Sequence, residues 1–159
     1  VGSAAVQAAV AGGAYVIGTA SPRHNDFLNS LGINEIHNYR EGTWQDDIRD
    51  IDYVIDTVSK DNLMLSLSTV NPGATMVGFN VSLTDEECIE YNVTCFGRGI
   101  GGVEALAAMS ELAHAGLVRV NVDETFPLAE AGAAQEENRN GGTQGKIILI
   151  VDEAKANSK

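Results

Sequence analysis

A stretch of five residues, TASPR at positions 19–23, has the side chains and the setting of a phosphate site. It follows a short apolar run that predicts a strand, and it opens a predicted helix. In nucleotide-binding α/β units an acidic residue here holds a ribose 2′-hydroxyl, whereas a 2′-phosphate needs cations or hydrogen-bond donors. The first carboxylate after the strand is Asp26, so Arg23 could supply charge and Ser21 a hydroxyl, beside the helix amides. The alternative is that Ser21 only caps the helix and Arg23 is a solvated surface residue.

The charge distribution is compatible with a phosphate at this end of the chain and excludes a polyanionic partner elsewhere. The 159 residues include 10 basic and 22 acidic side chains, a formal net charge of −12. Residues 1–40 contain two cations, Arg23 and Arg40, and two acids, Asp26 and Glu35, so all of the negative excess lies beyond residue 40. Over any large contact such a surface would repel nucleic acid.

Other side chains in the sequence lack the spacing of a catalytic site. His24, His37 and His114 are far apart, and neither a Ser-His-Asp nor an HExxH arrangement occurs. Asp56 ends a predicted buried strand, where a single acid is more often a hydrogen-bonded structural residue than a general base. We therefore assign no catalytic side chain and no metal ligand.

The cysteines and the hydropathy pattern indicate where the protein works. Cys88 and Cys95 form no CxxC motif and have no histidine nearby at metal-ligand spacing, so two reduced cysteines of a cytosolic protein are expected. No apolar run approaches the ~18 to 20 residues of a spanning helix, and the first residues lack the pattern of a signal peptide. We expect a soluble, cytoplasmic protein with no membrane contact.

The elements that must position these residues alternate between helix and strand. Apolar periodicity and stop signals predict helices at 2–12, 22–31, 44–50, 60–70, 103–115 and 127–138. Short β-branched runs predict strands at 14–19, 35–38, 51–57, 74–79, 91–96 and 146–151. Such alternation with short connections predicts a doubly wound α/β fold, in which a mainly parallel sheet carries helices on both faces.

Finer predictions concern caps, turns and buried faces. TWQD at 43–46 has the spacing of a capping box, NPG at 71–73 predicts a turn, and the acidic residues 84–87 predict a loop. In the helix at 103–115 the side chains spaced for one buried stripe are Val103, Leu106, Met109 and Ala113. The apolar sequence KIILIV at 146–151 predicts a fully buried closing strand.

Seven segments occur in an order that resembles a known superfamily. They are VGSAAVQ at 1–7, VIGTAS at 16–21, FLNSLG at 27–32, DYVIDTV at 52–58, NPGATMVGF at 71–79, FPLAEA at 126–131 and GKIIL at 145–149. Together they resemble the cofactor domain of the medium-chain dehydrogenase/reductase superfamily, in its zinc-independent NADPH:quinone oxidoreductase (zeta-crystallin-like) branch. The resemblance covers nearly the whole chain and implies a Rossmann-type sheet.

The resemblance also implies elements that lie outside this sequence. In the superfamily an AxxGxxG turn joins the first strand to the first helix, and Val1 and Gly2 match only its end. We therefore expect a partial Rossmann domain at 1–153 without its first strand, a tail at 154–159, and no N-terminal GroES-like catalytic domain. That strand is central in the 3-2-1-4-5-6 order, so the strands that flank it should not be hydrogen-bonded to each other.

Carried over residue by residue, the resemblance implies an NADPH site at the carboxyl ends of the strands. The positions are Val1 and Gly2 at the phosphate turn, Ser21, Arg23 and Tyr39 at the 2′-phosphate, Val58 near the adenosine, Gly78, Phe79 and Asn80 on the nicotinamide side, and Phe96 in a loop that approaches the nicotinamide. Alternatives remain open for two of them, because Tyr39 could be a rim aromatic and Phe96 a core phenylalanine. The lack of a carboxylate after the second strand of the fold favours NADPH over NADH.

The activity that the resemblance implies is hydride transfer from NADPH to a quinone, an enone or a related carbonyl acceptor. It also implies a homodimer, formed through residues 91–97. One alternative is a noncatalytic nucleotide-binding or structural module, since fold does not fix function. The second alternative is the cofactor domain of a zinc-dependent alcohol dehydrogenase. The second is weakened because the cysteine lobe of that branch is absent from the sequence.

Overall fold

The computed structural model describes residues 1–79, 81–97 and 102–151, so Asn80 and the predicted tail at 154–159 lie outside the described residues. The helices are α1 (Gly2–Ala11), α2 (Asn25–Ser30), α3 (Trp44–Asp47), α4 (Lys60–Ser66), α5 (Asp85–Glu90), α6 (Val103–His114) and α7 (Ala131–Asn140). The strands are β1 (Ile17–Ala20), β2 (Glu35–Asn38), β3 (Ile51–Asp56), β4 (Val70–Gly78), β5 (Thr94–Phe96), β6 (Val122–Pro127) and β7 (Lys146–Ile150). Short 3-10 helices at Pro22–His24 and Leu128–Glu130 lead into α2 and α7.

The strands pair in parallel, which confirms the predicted doubly wound α/β class. β1 pairs with β2, β4 lies between β3 and β5, and β6 pairs with β7. Within the described residues β1 and β3 belong to different sheets, and no ladder joins them. This confirms that the two flanking strands are not hydrogen-bonded to each other, while the absence of a central strand from the chain stays a prediction.

Two segments predicted as a turn and a loop take part in regular structure. Ile51 pairs with Val70 and Tyr53 pairs with Thr75. The difference in residue number between partners therefore grows from 19 to 22, so β4 contains three extra residues, 71–73. Gly73 adopts a φ of +83°, and its N–H donates to the Asn92 carbonyl at 2.7 Å. The predicted turn is therefore a bulge within a strand. The acidic segment 84–87, predicted as a loop, forms the start of α5. Strand β6 was not predicted from the sequence.

A capping box forms at Thr84, whereas the one predicted at Thr43 does not form. The Thr84 hydroxyl accepts from the Glu87 N–H at 3.2 Å, and the Glu87 carboxylate accepts from the Thr84 N–H at 2.7 Å. At residue 43 the corresponding amide, that of Asp46, donates to the Thr43 carbonyl at 2.7 Å instead. Aspartate is also one methylene shorter than the Glu or Gln that this motif uses to reach back.

The core lies between α4, β4 and α5. Its buried residues are Leu63, Met76, Leu83 and Cys88, and the first two are only 1% exposed. Cys88 forms a disulfide with Cys95 of β5, so the expectation of two reduced cysteines is wrong. The turn after α5 explains the pairing, because Asn92 adopts a φ of +51° and brings the two Cα atoms to 6.1 Å.

Faces predicted to be buried are exposed in the second half of the chain. The structure describes all of α6, and none of its residues is buried; Val103 is 85% exposed and Leu106 73%. In β7, predicted to be fully buried, Ile148 and Leu149 are exposed. The predictions fail because helix and strand periodicity specify which residues share a face, while burial requires a second layer over that face.

The helices of the described residues are too short or too polar to cross a bilayer.

Candidate functional site

Strand register brings the predicted site residues to the carboxyl ends of two sheets. Ala20 pairs with Asn38, so Ser21, Arg23 and Tyr39 follow the same end of the β1–β2 pair. We call these three residues the β1–β2 end. In the neighbouring sheet Asp56 pairs with Gly78 and Val77 with Phe96, which brings together the residues that follow β3, β4 and β5. We call Val58, Gly78, Phe79 and Phe96 the β3–β5 end.

At the β1–β2 end, Ser21 is buried and Tyr39 is exposed. Ser21 precedes the 3-10 helix Pro22–His24 and is only 4% exposed, yet in the described structure its side chain makes no capping hydrogen bond. The Arg40 guanidinium lies over the Tyr39 ring, 5.4 Å from the ring centroid, in a cation–π contact. Sequence reasoning counted Arg40 as a charge only, although its adjacency to Tyr39 was a visible signal.

Arg23 is exposed and is linked to the next residue. Its Nε donates to His24 Nε2 at 3.1 Å. Burial and the adjacent Arg23 guanidinium lower the pKa of His24, and the Asp123 carboxylate opposes that shift. The imidazole is therefore neutral near pH 7, which is the form that can accept a hydrogen bond from Arg23.

Asp56 has the structural role that the sequence suggested. Its buried carboxylate accepts from the Val58 N–H at 2.8 Å, from the Ser59 N–H at 3.0 Å and from the Asn62 amide group. These bonds fix the turn after β3 and leave the Val58 side chain exposed at the carboxyl end of the sheet. The turn also adjoins the start of α1, because a Cβ placed on Gly2 would lie 3.9 Å from Thr57 Oγ1.

The residues after β4 and β5 present apolar surface. A Cβ on Gly78 would lie 2.1 Å from the Val81 carbonyl oxygen, so the chain can turn here only with glycine. The Phe79 N–H donates to the Asp56 carbonyl at 2.8 Å, and the Phe79 ring is exposed. Phe96 is 55% exposed, which excludes the alternative that it is a core phenylalanine.

The start of α1 also borders an apolar cavity. The cavity has a volume of about 450 Å³ and lies between α1, α6 and residues 118–121. Val1, Ala4, Ala8, Met109 and Val118 are among its lining residues. Its lining is mostly apolar, includes no carboxylate, and has polar side chains at Ser3, Arg119, Asn121 and Lys146.

The described side chains that could bind a metal ion do not form a cluster. Across residues 1–79, 81–97 and 102–151, no three histidine, cysteine, aspartate or glutamate side chains come close enough to hold an ion. Both cysteines are already bonded to each other. The expectation of no metal ligand stays a prediction.

Known proteins of similar sequence and structure are oxidoreductases. Residues 31–149 match a family model described as zinc-binding dehydrogenase. A solved quinone oxidoreductase from Coxiella burnetii is 29% identical over 95% of this chain and 49% of its own, with a TM-score of 0.82. A quinone oxidoreductase from Pseudomonas syringae pv. Tomato DC3000 is 24% identical over 94% and 53%, with a TM-score of 0.80. A solved NAD-dependent alcohol dehydrogenase is 20% identical over 94% and 48%, with a TM-score of 0.82.

The last two likenesses carry information on the fold alone, because their sequence identity is low. The chain spans about half the length of the solved structures it matches. No curated protein matches the chain.

Proposed function

The chain belongs to the zinc-binding dehydrogenase family, and on that premise we propose that it is the cofactor-binding part of an NADPH-dependent reductase. Family membership confirms the resemblance to the medium-chain dehydrogenase/reductase superfamily that the sequence indicated. The acceptor we propose is a quinone, an enone or a related carbonyl compound, since a quinone oxidoreductase is among the similar structures. The substrate pocket would come largely from residues outside this chain.

One observation carries the choice of NADPH: the β1–β2 end offers cations and a phenol and lacks a carboxylate directly after β1. Arg23 and Tyr39 are exposed there, and Arg40 lies over the Tyr39 ring. A 2′-phosphate would gain charge-assisted hydrogen bonds from such a surface, whereas a free ribose hydroxyl would find no acidic acceptor. These residues fit the phosphorylated cofactor.

The β3–β5 end suits the uncharged parts of the same cofactor. Val58, Phe79 and Phe96 expose apolar side chains along one edge of a sheet, where a planar ring can pack and water is displaced. When bound, the dinucleotide supplies the hydride, and the protein supplies orientation and a dry surface. Asp56 takes no part in proton transfer in this proposal, because three donors already occupy its carboxylate.

Zinc does not fit the described residues, despite the name of the family. The donors that zinc prefers are cysteine thiolates and histidines, and here both cysteines form a disulfide. The described side chains also form no ligand cluster. The catalytic ligands of a zinc-dependent alcohol dehydrogenase would lie outside this chain, so we propose the zinc-independent reductase on the resemblance of the sequence, and the alcohol dehydrogenase stays the alternative.

We propose a homodimer that forms along β5, within residues 91–97. In the described part of the chain, β5 is the outer strand of its sheet and has no partner on its far side. Tyr91 and Phe96 expose their rings beside that edge. A second copy of the chain could add its own β5 there and cover the Tyr91 ring, which leaves Phe96 to the cofactor.

The experiment is a direct binding titration of NADPH and NADH against the complete polypeptide. We expect NADPH to bind more than about tenfold tighter, because a charge-assisted phosphate contact contributes about 1.5 to 3 kcal/mol. Arg23→Ala should remove most of that preference by weakening NADPH binding alone.

Arg49→Ala is the matched control, since it removes the same charge from the segment before β3, at the opposite end of the strands. It should leave the preference unchanged. Superimposable titration curves for the two cofactors in the unmutated protein would refute the assignment of the β1–β2 end.

A further inference from the structure

The residues 141–144, which we call the glycine turn, lie against Arg23, more than one hundred positions away in the chain. A Cβ placed on Gly142 would lie 2.8 Å from Arg23 Nη2 and 3.2 Å from Cζ, so the guanidinium packs directly on the glycine backbone. Gln144 Nε2 lies 3.1 Å from His24 Nδ1 and 3.5 Å from the Arg23 carbonyl oxygen. Two distant segments therefore meet at the residue proposed to bind the 2′-phosphate.

The hydrogen bonds define how the glycine turn acts on Arg23. Because Arg23 Nε donates to His24 Nε2, the imidazole proton must reside on Nδ1. The atom beside that proton is Gln144 Nε2, which is itself a donor, so the amide must be turned about its Cγ–Cδ bond to bring its oxygen to Nδ1 as the acceptor. This amide orientation gives up only the long 3.5 Å contact with the Arg23 carbonyl oxygen. Arg23 is thus held by His24, and His24 is held by Gln144.

The glycine turn is itself attached to β6. The Gln144 N–H donates to Asp123 Oδ2 at 2.9 Å, and its carbonyl accepts from the Asn121 side chain. The next residue, Gly145, approaches so closely that a Cβ would lie 2.1 Å from the Asn121 carbonyl oxygen. Contacts on both sides of Gln144 fix the position of its amide relative to Arg23.

We propose that the glycine turn determines cofactor specificity by positioning Arg23 for a phosphate. Gln144 is a positioning residue that acts through His24, and Gly142 provides the flat surface on which the guanidinium rests. This inference rests on the proposed function, because it concerns the same 2′-phosphate. It adds that the preference for NADPH depends on residues between α7 and β7 as well as on those that follow β1.

The glycine turn contains its own matched pair of variants. Gly142 and Gly141 both adopt positive φ values, +96° and +75°, so alanine is strained at either position. Only at Gly142 would the added Cβ meet Arg23; at Gly141 nothing lies within 4 Å among the described atoms. In the complete polypeptide, Gly142→Ala should weaken NADPH binding by about fivefold, the effect of losing one positioned hydrogen bond, and leave NADH binding unchanged. Gly141→Ala should leave the ratio of the two affinities unchanged.

Gln144→Ala tests the inference without backbone strain. It should lower the affinity ratio by about the same factor while the thermal midpoint falls by a degree or two at most, a split that a purely structural role would not give. If Arg23→Ala abolishes the preference but Gly142→Ala and Gln144→Ala both retain it, the inference is wrong and the proposed function stands. If the unmutated protein shows no preference, the proposed function fails, and the inference fails with it.

Discussion

The unit that contains β3, β4 and β5 is packed, whereas the region from α6 to β7 exposes the faces that its sequence pattern would bury. The first unit has a core of Leu63, Met76, Leu83 and Cys88, closed by a disulfide and a capping box. The second has exposed Val103 and Leu106 on α6, and exposed side chains on β7. Yet the bounds of α6 and β7 were predicted as well as those of the strands in the packed unit.

This contrast separates two kinds of information in a sequence. Local periodicity and stop signals specify where a helix or strand begins and ends, whatever covers it. Burial depends on a second layer, and here the sheet is interrupted between β1 and β3 in the described residues. The β3–β5 unit supplies its own second layer through α4 and α5. In the α6–β7 region α7 packs against β6 and β7, but Val103 and Leu106 of α6 stay exposed.

The largest expected effect is the loss of a core side chain. Met76→Ala should reduce protection from amide hydrogen exchange throughout the β3–β5 unit by about 2 to 5 kcal/mol, because it opens a cavity around a side chain that is 1% exposed. Leu106→Ala, on the exposed face of α6, should change exchange by less than about 0.5 kcal/mol. Equal effects of the two substitutions would contradict the contrast between the regions.

A second comparison uses the disulfide. Reduction of Cys88–Cys95, seven positions apart, should destabilise the β3–β5 unit by about 2 kcal/mol, since it frees a short closed loop. Exchange in α6 and α7 should not respond. The double variant Cys88→Ala/Cys95→Ala is the control, because added reductant should have no further effect on it. If reductant leaves the unmutated chain unchanged, the disulfide does not stabilise the unit.

The smallest expected effect distinguishes the two threonines that precede helices. Thr84→Ala should cost about 1 kcal/mol, because its hydroxyl accepts from the Glu87 N–H, and the loss should appear in the exchange of α5. Thr43→Ala should cost less than half as much, since the corresponding amide already donates to a carbonyl. A larger effect at Thr43 than at Thr84 would contradict the assignment of the capping box to Thr84.

The pH dependence of amide exchange in α5 is a second test of the capping box at Thr84. Hydrogen bonds from Lys60 and from the Thr84 backbone lower the pKa of Glu87. The stabilisation they give is therefore complete above the ordinary carboxyl pKa of 4.5 and is lost as the pH falls through the lowered value in the folded chain. Exchange in α5 should accelerate in that acidic range for the unmutated chain, and less so for Glu87→Gln.

The sequence predicted the class of the fold and the strand ends at which the site residues lie. Arg23 was predicted because it follows a strand whose end is marked by local signals, whereas Tyr39 was carried over from the resemblance to the superfamily, and both assignments stay predictions. Contacts between distant segments were not predicted: the meeting of Gly142 with Arg23 depends on how β6 and β7 pack, and β6 itself was missed. The disulfide was not predicted for a related reason: its formation depends on the turn at Asn92 and on the strand that follows.

The interrupted sheet also bears on how the chain behaves at high concentration. Among the described residues, β1 and β3 each pair along one side only, which leaves a row of backbone donors and acceptors on the other. An unpaired edge is a template for any extended peptide, including the same strand of another molecule. When the β1 edge of one molecule pairs with the β3 edge of another, symmetry does not close the contact, so repeated contacts of this kind lead to open-ended filaments or amorphous precipitate rather than a defined oligomer. The solubility of this chain therefore depends on what pairs first with the free edges of β1 and β3. A complementary strand would keep the chain soluble, whereas another copy of the chain would aggregate with it.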